Sequence, residues 1–252
     1  MTAWGAAALI IGLACTHACS GPPGGPSPPT GAPTESFRST HFQFRHTPAD
    51  SASIEATASR LEGEYNRILQ DLGVQAMPMV NVSFYSTHEA LVAGAGPSAG
   101  PIPAWATGLV TAEDQIHLLS PAVAGPYERA LSNLVHEFAH CVSLRVNRSI
   151  ANNPRWLWEA IAIFEANQRV DPRSLSYMVA GQPPTFAQLS RFDNQLVYDV
   201  GFLISQFVID RWGTDGYRGL LAANGDTQRV LGLTLEDFQR EWFRWVRITY
   251  GV

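Results

Sequence analysis

His136 and His140 stand four residues apart, with Glu137 between them, in a segment whose apolar spacing predicts one helix over residues 127–146. Positions i and i+4 of a helix share a face one turn apart, so both imidazoles can address a single tetrahedral ion. Glu137 is rotated beside them, within reach of a water held by such an ion. Leu131, Leu134, Val135, Phe138, Val142 and Leu144 make the flanks apolar, which predicts a buried helix. Cys141 follows His140 directly and points about 100° away around the helix, so it reads as a small core residue and not as a ligand.

A pair of histidines beside a glutamate can arise by chance, so the pattern requires a third ligand on a following helix. The run WLWEAIA at 156–162 supplies Glu159, with 18 residues between His140 and Glu159. Ser149 to Asn153 can turn the chain back, and Pro154 opens a helix predicted over 154–168 that would lie antiparallel to the first. Two nitrogens and one carboxylate with the fourth position open for water is the donor set of a catalytic zinc site. The expected cofactor is therefore Zn2+, with His136, His140 and Glu159 as ligands and Glu137 as the catalytic base.

These residues carry a family resemblance. His136-Glu137-x-x-His140 followed by Glu159 resembles the spacing of gluzincin metallopeptidases of the aminopeptidase group, and Trp156-Leu157-x-Glu159-Ala160-x-Ala162 resembles their Trp-Leu-x-Glu-Gly-x-Ala segment. The overall layout, including the stretch at 231–242 (LGLTLEDFQREW), is similar to the small bacterial peptidase MA-like domains, and the resemblance spans about residues 40 to 250. It implies a thermolysin-like (zincin) catalytic domain that hydrolyses peptide bonds in a peptide or protein substrate. It also implies an oxyanion donor on a later helix, for which Tyr198 is the choice; Tyr198 can equally be an amphipathic core residue, and Tyr177 and Tyr217 are poorer choices. Substrate in such folds adds to an exposed sheet edge, and residues 106–109 offer one.

The chain also departs from that pattern. Trp158 stands where relatives often carry Asn, and Ile163 where thermolysin-like members carry the Asp that orients a ligand histidine. Glu165 is a candidate for that orienting role, against the simpler reading of a solvated helix charge. The Gly-x-Met-x-Asn run by which the aminopeptidase group recognises a substrate amino terminus is not visible, which favours an endopeptidase. The alternative to an enzyme is a zinc-binding or scaffolding protein of the same fold; an intact Glu137 speaks against it, because a scaffold needs no general base. His41, His46, His88 and His117 read as structural.

Around the motif, alternation predicts strands at 41–46, 79–85, 105–111 and 115–119, and helical spacing predicts a helix at 50–72 ending on Gly73. Thr87 to Ala90 can open a short helix, and residues 93–104 are loop. Further helices are expected at 194–211, stopped by Gly213, and at 215–223 and 234–249. Strands first and helices later define an α+β class: a small N-terminal mixed sheet, an active-site helix and a mainly helical C-terminal part.

The first 39 residues differ from the rest. Residues 4–14 are apolar but too short to span a bilayer, which takes roughly 20 residues. Residues 1–19 therefore read as a signal or lipoprotein-type export segment, with lipidation at Cys15 or Cys19, ordinary cleavage and an uncleaved anchor all open. Residues 20–39, rich in Pro and Gly, read as a tether to a catalytic domain at 40–252. The expected location is extracytoplasmic, with membrane attachment through the N-terminal lipid or apolar segment as one outcome. A net charge of −5, with 15% charged residues and no basic run, gives no support to a nucleic-acid partner, and oligomeric state is not legible.

Overall fold

The computed structural model describes residues 29–252. The export segment expected at 1–19, with Cys15 and Cys19, and the tether at 20–28 lie outside the described residues. The rest is a mixed α+β fold. Five strands, β1 (Glu35–Arg38), β2 (Phe42–His46), β3 (Val80–Tyr85), β4 (Gly108–Ala112) and β5 (Gln115–Leu119), form one sheet in the order β1-β2-β3-β5-β4. The inner pairs β2–β3 and β3–β5 are parallel, whereas the outer pairs β1–β2 and β4–β5 are antiparallel, so the sheet is mixed.

Alternation along the inner strands sends Phe42, Phe44, Val80, Val82, Phe84, Ile116 and Leu118 into the core, all buried. Two helices cover that face: α1 (Ile54–Leu72), which ends on Gly73 in the left-handed conformation, and α3 (Tyr127–Val146). The rings of Phe42, Tyr65 and Phe138 meet where sheet, α1 and α3 join, at centroid separations of 5.1 to 5.9 Å. Each such ring contributes about 1.5–3 kcal/mol by leaving water. Tyr85 and Leu119 point the other way and pack with Leu91 of α2 (His88–Ala95), a short helix capped by the Thr87 hydroxyl.

Beyond α3 the chain is helical: α4 (Arg155–Glu165), the single turns α5 (Ser176–Val179) and α6 (Phe186–Leu189), α7 (Val197–Ala222), α8 (Thr227–Leu231) and α9 (Leu235–Tyr250). Every residue of α4 except Phe164 is buried, so it is the central helix of this half. At Gly201 of α7 the two helices approach closely: a Cβ there would lie 3.1 Å from Ala160 Cα and 2.6 Å from Ile163 Cδ1. The Ser205 hydroxyl, one turn on, donates to Ala160 O at 2.8 Å. α9 lays Phe238, Trp242 and Val246 into an aromatic cluster with Trp156, Phe186 and Phe207, and Thr234 caps its first turn by accepting from Asp237 N.

Several expectations shift. Residues 35–38, inside the stretch read as tether, form the edge strand β1, because their backbone pairs with β2 although their side chains are mostly exposed. The strand expected from 105 starts only at Gly108, after a turn containing Trp105. Gly213 does interrupt helical geometry, at φ 66°, but the helix resumes at once, so the segments expected at 194–211 and 215–223 are two halves of α7. No helix among the described residues is long and apolar enough to cross a membrane.

Candidate metal centre

α3 presents His136, Glu137 and His140 on the side facing α4, and α4 presents Glu159 back at them. The ligand atoms of His136, His140 and Glu159 all lie within 4.8 Å of one another, and all three residues are buried. Glu159 Oε2 sits 3.3 Å from His136 Nε2 and 3.9 Å from His140 Nε2. Donors about 2.0–2.1 Å from a tetrahedral zinc are separated by roughly 3.3 Å, so this cluster needs little adjustment to hold one. The same Oε2 is buried with no hydrogen-bond partner, an orphaned acceptor that a cation would satisfy. On donor type, spacing and this orphaned oxygen, the residues fit zinc.

Burial opposes charge on both imidazoles. For His140 burial prevails, aided by His136, and its pKa falls well below the usual value. For His136 the opposing carboxylates of Glu159 and Glu137 outweigh burial and raise it. The Glu137 carboxyl is pushed up to about 7 by burial, with His136 opposing and Glu159 adding to the rise.

His136 is oriented by a residue that sequence reasoning did not find. Its Nδ1 lies 3.1 Å from Gln168 Oε1, and Gln168 Nε2 donates to Asn133 Oδ1 at 3.1 Å. Asn133 Nδ2 in turn donates to Thr107 Oγ1 at 3.2 Å, just before β4. Gln168 reaches this position because α4 ends in a paired turn. Asn167 adopts φ 53°, its N–H bonds Phe164 O at 3.0 Å, and Gln168 N–H bonds Ile163 O at 2.9 Å. Asn133 was findable at three residues before His136 on the same helix face; Gln168 had no such signal. The other histidine, His140, has no hydrogen-bond partner at Nδ1 and stacks on Trp158 instead.

Glu165 does not orient either histidine. Its carboxylate accepts from Arg67 at 2.7 Å and from Tyr217 at 3.3 Å, in a buried pocket behind α4. The other histidines among the described residues are also engaged elsewhere: His41 with Glu62, His46 with Thr47 O, His88 with Pro103 O, and His117 with Tyr85 and Thr111. Tyr177 donates to Asp199 and Tyr217 is buried in the core. Tyr198 comes to the centre, its ring 6.4 Å from that of His136. Burial and the Glu159 carboxylate push its phenol up, with Arg155 opposing, so its O–H stays a donor.

His136, Glu137, His140, Glu159 and Tyr198 line a cleft of about 880 Å³. One wall is β4, the last strand of the sheet order, whose far edge has no paired strand among the described residues. Gly108 opens that strand directly over Glu137: a Cβ there would come within 2.8 Å of its Oε1. Trp105 and Phe192, 51% and 54% exposed, form the rim with ring centroids 6.4 Å apart. Compared with known proteins, the chain matches no protein-family profile, no curated protein and no solved structure.

Proposed function

We propose that this chain is a zinc-dependent peptidase of the gluzincin type, resembling thermolysin-like and peptidase MA-like catalytic domains, and that it acts as an exported endopeptidase. The observation that carries the reading is the buried convergence of His136, His140 and Glu159 within 4.8 Å, with Glu137 beside them at the base of a cleft walled by an open strand edge. His136, His140 and Glu159 would hold the zinc, which would supply Lewis acidity toward a peptide carbonyl and would acidify the attacking water.

The remaining roles belong to the chain. The β4 edge takes the substrate as an added strand and holds its scissile carbonyl near the base. Glu137 accepts the proton of the attacking water and passes it to the leaving amine as the C–N bond breaks, giving a carboxylate and a free amine. Tyr198 donates its O–H to the carbonyl oxygen as negative charge collects there.

The test is metal content together with cleavage of a mixed peptide library by the wild type and by Glu137→Gln. The expected result is zinc in both proteins and cleavage only by the wild type. Zinc in both with no cleavage by either points to a non-catalytic zinc protein. A chain that takes up no zinc removes the reading altogether.

A further inference from the structure

Arg155 begins α4, one turn before Glu159, and its side chain is 2% exposed in the wall of the cleft. A buried guanidinium is costly unless its donors are used. One side of it is used: Nη1 donates to Asn194 O at 2.7 Å and to Arg191 O at 3.3 Å, tying down the loop before α7. The rings of Tyr198 and Phe192 lie 5.5 and 6.0 Å from its central carbon. The other side makes no hydrogen bond of good geometry, although the guanidinium lies close enough to the Tyr198 phenol to oppose its rise. Nε and Nη2, the two parallel N–H donors of the side-on fork, are buried with no hydrogen-bond partner. That fork has the geometry that grips a carboxylate.

The carboxylate nearest to it is a metal ligand. Glu159 Oε1 is 3.9 Å from Arg155 Nε, and Oε2 is the oxygen turned to the histidine nitrogens. The two oxygens of Glu159 thus face different partners. A flexible carboxylate without such a partner could rotate, or present both oxygens to the ion.

We propose that Arg155 is a positioning residue of the zinc site: its unpartnered fork closes on Glu159 Oε1 when the metal takes Oε2, so that Oε2 alone is offered to the ion. This rests on the zinc reading of the site and adds an element that reading does not contain. Through its flanking rings the same guanidinium also packs beside Tyr198, so the third ligand and the phenol share one support.

Zinc affinity, measured by competition with a chelator, is the readout, with Arg155→Lys and Arg155→Met. Lysine keeps a charge and can still reach the loop carbonyls, but an ammonium offers no parallel fork. The expected result is zinc binding weakened roughly 10- to 100-fold in both variants, the usual cost of losing a ligand's support. In a Glu159→Ala background the same Arg155→Lys change should cost less than about twofold, because the two residues act as one unit. A structural role for Arg155 would lower stability without that coupling. If Arg155→Met does not fold, the lysine variant with its double-mutant cycle decides. Wild-type affinity in Arg155→Lys overturns the proposal and leaves the zinc reading standing. Unchanged affinity with a selective loss of cleavage of acidic peptides overturns it in favour of a substrate contact. A wild type that binds no zinc overturns both readings.

Discussion

The indole of Trp158 lies flat on the imidazole of His140, with ring centroids 3.8 Å apart and planes 8° from parallel. His140 Nδ1 is buried and has no hydrogen-bond partner, so the stack is the contact that sets the ring plane. His136 is held differently, through the Nδ1 contact to Gln168. The two imidazoles stand nearly perpendicular, at 89°, and each is fixed by its own kind of support.

Trp158→Ala should weaken zinc binding about 10-fold, by the usual cost of a lost ligand support, and destabilise the metal-free protein by about 3–5 kcal/mol through the cavity it leaves. Trp158→Phe should recover most of the affinity, since a smaller ring can still cover the imidazole. Chelator competition and urea denaturation separate the two effects.

Gln168→Ala removes the partner of His136 and should cost about 10- to 100-fold in zinc affinity. Gln168→Glu should bind zinc at least as tightly as the alanine variant and approach the wild type. Its carboxylate accepts from Nδ1 more strongly than an amide oxygen but gives up the donor to Asn133. Titration of all three proteins with zinc checks the order.

Gly108→Ala would press a methyl group against Glu137 Oε1 and Leu118 Cδ2, both 2.8 Å from the position of its Cβ. The ligands are untouched, so zinc affinity should stay within about twofold. Displacing the base by a fraction of an ångström to an ångström should lower kcat/KM by about 10- to 100-fold. Steady-state cleavage alongside metal titration makes the comparison.

Glu165 gives a pH signature outside the metal centre. Burial, reinforced by Asp71 and opposed by Arg67, raises its carboxyl from 4.5 to about 7. The folded protein therefore holds this proton more tightly than the unfolded chain does. The group's stabilisation is complete below pH 4.5 and is lost as pH rises to about 7. The loss amounts to up to about 3 kcal/mol. Relative to Glu165→Gln, the metal-free wild type should lose stability over that window and change little above it, as read by urea denaturation at a series of pH values.

Much of this was legible because periodicity runs along the chain. The helix expected at 127–146 is observed as Tyr127–Val146, and the strand at 115–119 as Gln115–Leu119, since both carry unbroken apolar patterns. The i, i+4 histidines and Glu159 could be read because their spacing along two helices determines which faces meet. β1 could not: Glu-Ser-Phe-Arg has no alternation to detect, and it is a strand only because β2 offers its edge. Asn133 and Arg155 sit at helical spacings from ligands, three and four residues away, yet many surface pairs share those spacings. Gln168 depends on a turn whose direction is set by one residue, Asn167, at positive φ.

That turn makes the length of α4 a working dimension of the molecule. Along one helix lie the buried arginine of its first turn, the ligand one turn later, and, just past its end, the amide that steadies the opposite imidazole. Inserting or deleting a single residue between Glu159 and Asn167 would swing that amide by about 100° and move it about 1.5 Å along the axis. The helix behaves as a ruler cut to one length, so tolerance to insertions should end sharply at Arg155 and resume only beyond Gln168.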